Sequence, residues 1–185
     1  MIKKVINVSG KAGAGKDTFA NMVQKILEEQ GKTVMRISYA DYLKYICTKL
    51  FAWDGKKDEK GRTLLQKVGT DIVREQDPDF WVRNVCELAQ LFDSFYDYVI
   101  CADCRFPNED EYWQQLGFDT CSVKIIRPKY ETTLDKEQLA HSSENSMETY
   151  NFDWQIINDT LDGLEVSVEI FVLELLEEEK AKNER

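Results

Sequence analysis

One stretch, Gly10-Lys11-Ala12-Gly13-Ala14-Gly15-Lys16-Asp17-Thr18, constrains this chain more than any other. It follows the apolar run Val5–Val8 and precedes a segment in which Phe19, Met22, Val23 and Ile26 recur at helical spacing. Gly-x4-Gly-Lys between a strand and a helix is a phosphate-binding loop. The glycines let the backbone curl until successive N–H groups face phosphate oxygens, and the helix N-terminus adds partial positive charge. Lys16 then bridges the outer phosphates. Asp17 stands where a Ser or Thr hydroxyl usually meets magnesium; a carboxylate is also an oxygen ligand, so the metal site is altered and not lost.

The remaining pattern extends this one unit into a fold. Short apolar runs recur at Val5–Val8, Thr33–Ser38, Tyr98–Ala102, Cys121–Ile126 and Trp154–Ile157, with helical spacing between the first three. Val-Ile-Asn-Val and Tyr-Val-Ile-Cys are nearly continuous in apolar character, as strands covered on both faces are. The expectation is an α/β, three-layer doubly wound parallel sheet of about five strands. Leu43, Ile46, Cys47, Leu50 and Phe51 predict one helix stripe, and Leu64, Leu65, Val68 and Ile72 another. Gln66, Thr70 and Arg74 line a polar flank of that second helix. Phe80–Phe92 predicts a third helix after Asp77-Pro78, and Leu164, Val168, Phe171 and Leu175 a final one from Leu161 to Lys180.

Composition narrows the partners. The 185 residues suit one domain, and neither Gly/Pro content nor charge places the chain among disordered or fibrous classes. A net charge of −10 argues against a nucleic-acid polymer or an anionic membrane as partner, while leaving room for a small anion in a local basic pocket. Five cysteines, an odd number, and no apolar stretch resembling a signal or membrane span predict reduced thiols and a cytoplasmic protein. The sequons at Asn7 and Asn158 then carry no sugar. Asp54–Arg62 and Glu174–Arg185 read as solvated charged surface.

A second chemical signal closes the third apolar run. Asp103 ends a buried strand beside the phosphate loop, where a carboxylate can hold the water shell of magnesium. As an alternative it caps a turn before Pro107. Arg105 can neutralise phosphoryl charge or sit in a surface ion pair. Cys101 and Cys104 resemble a metal pair, but an offset of three on a strand sends them to opposite faces, so no metal or redox site is expected there. The polar segment Pro128–Tyr150, holding the single histidine, His141, is long for a passive loop and reads as a lid.

Six blocks in order, covering nearly the whole chain, resemble the phage-type deoxynucleoside monophosphate kinases. These are the loop with Gly-Lys-Asp-Thr; Tyr39-Ala40-Asp41-Tyr42-Leu43-Lys44; Leu65-Gln66-x-x-Gly69-Thr70-Asp71 leading to Arg74; Asp77-Pro78-x-x-Trp81; Asp103-x-Arg105-Phe106-Pro107-Asn108-Glu109; and His141-x-Ser143-Glu144. Animal-type phosphomevalonate kinases are similar in layout, including Gly-Lys-Asp. The resemblance implies a single P-loop kinase domain over residues 1–185, acceptor-binding helices at about 41–95, and a lid at about 128–150. ATP and Mg2+ are the implied cofactors, and the implied acceptor is a deoxynucleoside 5′-monophosphate, in host cytoplasm if a phage encodes the chain. Homodimers occur in the family. Gly13, Ala14, Gly15, Lys16, Asp17 and Thr18 would hold ATP phosphates, with Asp17 and Asp103 toward the metal. Lys44, Arg74 and Arg83 would grip the acceptor phosphate. Asp41, Gln66, Thr70, His141 and Glu144 would complete that side, with Trp81 against a base. Arg127 and Asn158 would flank the donor adenine, and Arg105 or Arg127 would supply the catalytic arginine, since the lid has none. The other readings are a phosphomevalonate kinase-like enzyme and a non-catalytic nucleotide-binding module. A GTPase is excluded because no Asn-Lys-x-Asp motif occurs.

Overall fold

The computed structural model describes residues 1–132 and 134–184; Thr133 of the expected lid and Arg185 of the acidic tail lie outside the described residues. All five strands form where the apolar runs lie: β1 (Lys4–Ser9), β2 (Val34–Ile37), β3 (Tyr98–Cys104), β4 (Thr120–Ile126) and β5 (Trp154–Ile157). They make one parallel sheet in the order β2-β3-β1-β4-β5. β1, at the centre and flanked on both sides, is buried, with Val5, Ile6 and Val8 fully enclosed.

One face of the sheet is covered by α1 (Lys16–Glu29) and α8 (Leu161–Asn183). Leu164, Val168, Phe171 and Leu175 of α8 are buried there, as their spacing predicts. Phe171 meets Phe19 with ring centroids 5.4 Å apart and Trp154 at 5.2 Å. The opposite face carries α2 (Ala40–Leu50), α4 (Phe80–Leu91) and α5 (Pro107–Gln115) around Leu43, Cys47, Trp81, Val85 and Trp113. In α2 the expected apolar stripe stops early. Leu50 and Phe51 are exposed because the helix ends at Leu50 and the chain turns away through Ala52, at φ 53°.

The helix expected across residues 64–72 is two structures. α3 (Glu59–Gln66) runs without a break into a π-helical segment, Lys67–Arg74. A π turn spaces inward residues by five, so Val68 is followed into the core by Val73, while Ile72 is turned outward at 39% exposure. Gly69 sits at the crossing with α2, where a Cβ would lie 2.6 Å from Leu43. Its carbonyl accepts the Trp81 indole N–H at 2.8 Å.

Two further expectations are corrected. Cys101 and Cys104 share one core cluster because β3 bulges: Asn7 pairs with Cys101 and Ser9 with Cys104, two residues against three. All five cysteines are nonetheless free and buried, and no group of three or more His, Cys, Asp or Glu suited to a metal occurs among the described residues. The acidic tail is not all solvated surface. Glu179 accepts hydrogen bonds from Lys3 at 2.7 Å, Lys32 at 2.8 Å and Tyr98 at 2.7 Å. Burial by itself would raise this carboxyl, but those three donors outweigh it and hold the group down to about 2. No helix among the described residues is long and apolar enough to cross a membrane.

The packing of α8 makes a contrast that melting experiments can read. Phe171→Ala should cost about 3–5 kcal/mol through lost burial and cavity formation, whereas Leu173→Ala, on a side chain 60% exposed, should change stability by less than about 0.5 kcal/mol.

Candidate active site

The phosphate loop leaves β1 at the carboxyl edge of the sheet and is held from three directions. Gly13 and Gly15 take φ of 79° and 98°, a region L side chains avoid. Space forbids a side chain there as well: a Cβ at Gly13 would lie 2.1 Å from the Tyr130 ring, and one at Gly15 would lie 2.2 Å from Asn158 Nδ2. Asn158 donates to the Ala14 carbonyl at 2.8 Å and Arg127 to the Gly13 carbonyl at 3.3 Å. The Lys16 ammonium folds back onto the loop, donating to the carbonyls of Gly10 at 2.6 Å and Lys11 at 3.1 Å. Burial, reinforced by the Arg105 charge, lowers Lys16 to about 8.

Next to the loop, the β3 bulge presents Asp103. Its carboxylate accepts from the Ser38 hydroxyl and from the N–H groups of Tyr39 and Ala40, each N–H at 3.0 Å, which satisfies the start of α2. Asp103 thus caps α2 and also faces the cavity. Asp17, almost fully exposed at the start of α1, faces the same space.

Arg105, two residues beyond, is aimed by Glu109. The Glu109 carboxylate accepts from the N–H groups of Arg105 at 2.6 Å and Phe106 at 3.1 Å, and from the Arg74 guanidinium. Glu109 is fully enclosed, and that burial pushes its carboxyl up to about 7 against the pull of Arg74. Arg74 also donates to the Pro78 carbonyl at 3.0 Å and Asn108 at 2.9 Å, and stacks on the Phe106 ring at 3.9 Å. Arg74 therefore lines the cavity as a side chain already engaged by protein partners.

The segment 128–150 contributes α6 (Lys136–Ala140) and α7 (Ser142–Asn145). His141 Nδ1 accepts the Ser143 N–H at 3.2 Å, so Nε2 carries the proton and donates to Asp71 at 3.2 Å. His141 thereby ties α7 to the π-helical segment. Glu144 is carried down onto the loop: it accepts from Ala12 N–H at 3.3 Å and forms an ion pair with Arg105. A carboxylate here meets the kind of donors that phosphate oxygens would meet.

These elements enclose a cavity of about 460 Å³. Of the residues singled out in the sequence, Gly13, Lys16, Asp17, Asp41, Lys44, Gln66, Thr70, Arg74, Trp81, Asp103, Arg105 and Glu144 line it. Trp81 is a buried core side chain that also forms part of the wall. Arg83 is not part of that wall and pairs with Asp77 at 2.5 Å. Arg127 and Asn158 come together at a second cleft behind the loop, with Tyr130 and Thr160. Ala14 and Thr18 belong to the loop and first turn of α1 without lining either cavity. Sequence reasoning missed Arg36, Lys57 and Arg62 and gave Glu109, quoted only within its block, no role; all four line the main cavity. Lys57 and Arg62 correct the reading of Asp54–Arg62 as surface alone; Arg36 had a signal, a charge within the otherwise apolar β2 run Val-Met-Arg-Ile.

Two measurements follow from this geometry. Phosphate oxygens arriving beside Lys16 would raise its pKa, so nucleoside triphosphate binding at pH 8 should take up on the order of half a proton. Calorimetry in buffers of different ionisation enthalpy reads this, and Lys16→Arg should abolish it. Bound phosphates must also displace Glu144 from Ala12 and Arg105. Glu144→Gln, which removes the ion pair, should therefore tighten triphosphate binding about fivefold, the equivalent of about 1 kcal/mol; weaker binding would mean that the carboxylate serves the ligand directly.

Residues 8–119 match the phosphomevalonate kinase family model. No curated protein matches the chain. Among solved structures, APS kinase of Mycobacterium tuberculosis in complex with AMPPNP and APS is similar at 16% identity over 94% of this chain and 98% of that one, with a TM-score of 0.56. A hexameric APS kinase from Thiobacillus denitrificans is similar at 14% identity, covering 95% of this chain and 29% of that one, with a TM-score of 0.52. A sugar kinase from Janibacter is similar at 13% identity over 94% of this chain and 95% of that one, also with a TM-score of 0.52. At these identities the likeness is one of fold, that of P-loop kinases.

Proposed function

The chain belongs to the phosphomevalonate kinase family, and from that premise we propose that it transfers the γ-phosphoryl group of ATP to a small acceptor that already carries a phosphate, yielding a diphosphate. The observation that carries this reading is the single cavity that runs from Lys16 on the loop to a second group of cations on β2, α2 and α3. Seven Lys and Arg side chains and five carboxylates line it, in a chain whose net charge is −10. Such a local excess of positive charge suits two phosphate-bearing ligands.

In this reading the loop N–H groups and Lys16 hold the donor phosphates, and Arg127 and Asn158 frame a cleft for the donor base. Asp17 and Asp103 supply the carboxylate oxygens for Mg2+, which fits the preference of that ion for one or two carboxylates plus phosphate oxygens. Bound Mg2+ would neutralise charge on the β and γ oxygens. An acceptor phosphate oxygen is already nucleophilic and needs no general base. Arg105, freed from Glu144, faces the cavity beside Lys16 and neutralises the charge spread over the transferring group. The segment at about 128–150 acts as the lid, and helices within about 41–95 form the acceptor side.

Family membership puts phosphomevalonate first among acceptors. A second reading, a deoxynucleoside monophosphate, is favoured by a specific observation: Leu43, Leu65, Trp81 and Phe106 give the cavity an apolar and aromatic wall suited to a planar base. The test is ADP release from ATP and Mg2+ against both acceptors and the ribonucleoside monophosphates. Turnover of at least one phosphomonoester is expected, and Lys16→Ala should lower it by about 10³-fold or more without loss of the fold. Tight ATP binding with no turnover of any phosphomonoester would instead leave a nucleotide-binding module.

A further inference from the structure

Away from the site, exposed apolar side chains gather along α2 and α4. Tyr42 and Tyr45 stand one turn apart on α2 with their rings stacked at 6.3 Å, and Tyr42 stacks in turn on Phe80, at the start of α4, at 6.1 Å. Leu91 lies three turns further along α4 on the side of Phe80. Leu88, Leu91, Phe92 and Phe95 recur at i, i+3, i+4 and i+7 and carry the apolar surface past the end of the helix, where the Phe92 and Phe95 rings lie 6.1 Å apart. Tyr42, Tyr45, Leu88, Leu91, Phe92 and Phe95 are each between 43% and 76% exposed, and none of them lines either cavity.

At about 100 Å² for each half-exposed large side chain, these six present roughly 600 Å² of apolar surface, the upper end of what a monomer carries. A stable protein pair buries about 800 Å² on each partner, so the patch is large enough to be the apolar centre of such an interface, with a polar rim supplying the rest. Charge says what covers it. α2 and α4 carry Lys44, Lys49 and Arg83 against Asp41 and Glu87, a nearly neutral face on a chain of net charge −10. Lys44 is paired with Asp41 and Arg83 with Asp77, which leaves Lys49 on one helix and Glu87 on the other as an exposed cation and an exposed carboxylate. Such a face complements itself: a two-fold axis lying in it, midway between Lys49 and Glu87, sets each of them against the other on the facing copy. α8 offers the contrast. Its outer stripe of Val166, Ile170 and Leu173 is exposed as well, but that helix carries seven carboxylates and two lysines, so two copies would repel each other there. We propose that the face made by α2 and α4 is the surface through which two copies of this chain pair in solution.

Analytical ultracentrifugation of the full chain over about 1–200 μM tests this, and the wild type should pass from monomer to dimer within that range. Leu91→Glu and Tyr45→Glu should each weaken pairing about a hundredfold and leave monomer at the highest concentration. Lys49→Glu, which sets like charges against each other, should weaken it about tenfold, and adding Glu87→Lys to that variant should restore wild-type pairing. A misfolded variant could not be rescued in this way. Ile170→Glu, on the outer stripe of α8, should leave pairing unchanged. A wild type that stays monomeric throughout, or a dimer that survives both Leu91→Glu and Tyr45→Glu, would overturn the proposal. So would a dimer lost to Ile170→Glu, which places the contact on α8, and so would a monomer that binds phosphatidylcholine vesicles through Leu91, which gives the face to a lipid surface. Pairing does not depend on which acceptor is phosphorylated, so this inference and the kinase reading stand or fail separately.

Discussion

The Glu109 carboxylate is the joint on which the site depends. It takes N–H donors from Arg105 and Phe106 at the end of β3 and an N–H from Arg74 in the π-helical segment. One buried side chain thus fixes the direction of Arg105, the start of α5 and the roof of the cavity together. Burial raises its carboxyl to about 7, so ionisation is opposed by desolvation and supported by Arg74. Removing either partner would leave the other a buried charge without its counter-charge, a loss of up to about 3–5 kcal/mol in comparable sites and less where backbone and amide partners remain, as they do here. Below this joint lies a second polar layer: Tyr39 bridges Asn7, Trp113 and the Glu109 carbonyl, and Asn7 bonds to Asp110 at 2.6 Å. Each of these groups is satisfied by the others, which is what makes polar burial at the centre of the sheet tolerable.

Net charge and site charge point in opposite directions. A chain at −10 repels free nucleotide at long range, yet salt screens that field beyond about 8 Å at physiological ionic strength, whereas groups facing one cavity act at shorter range. An ion pair at 4 Å is worth about 4 kcal/mol at an effective dielectric near 20. A few cations within the cavity therefore outweigh acidic residues spread over the surface and the tail. Glu178 and Glu179 at that tail are paired with lysines of the first strand region, which localises their charge further.

How much of this was legible in the sequence depended on whether one residue's period or many residues' meeting carried the information. The five strands and α8 were legible because each carries an apolar run visible in its own sequence, even though Ile157 of the edge strand β5 stays exposed. The phosphate loop was legible because its glycines answer to backbone shape. α5 was not, because two of its three buried residues are the carboxylates Glu109 and Asp110, which no hydrophobic pattern reveals. The π turn was missed for a related reason: Leu64, Leu65, Val68 and Ile72 fit an α period, and only the crossing at Gly69 with Leu43 and Trp81 shifts the inward position to Val73. The bulge in β3 is invisible in the same way, and it reverses the inference about Cys101 and Cys104. Arg36, Lys57 and Arg62 are distant in sequence from the loop whose cavity they line; the sheet order brings Arg36 there, and the placement of α3 and the turn before it brings Lys57 and Arg62.

The π-helical segment shows how the fold resolves a conflict between packing and chemistry. Residues 66, 70 and 74 must all face the cavity, while the same stretch must pack against α2 and α4. A regular α-helix advances 100° per residue, so positions four apart drift slowly around the axis and compete with inward apolar positions. Widening the turn separates the two sets: Val68 and Val73 go to the core, Gln66, Thr70 and Arg74 stay on the cavity, and Asp71 is turned toward His141. The last of these couples the segment to α7, and α7 carries Glu144 onto the loop. A ligand that displaces Glu144 would therefore pull on a helix tied through His141 to the wall that holds Arg74, so the loop end of the cavity and its π-helical wall are joined by two hydrogen bonds and one ion pair.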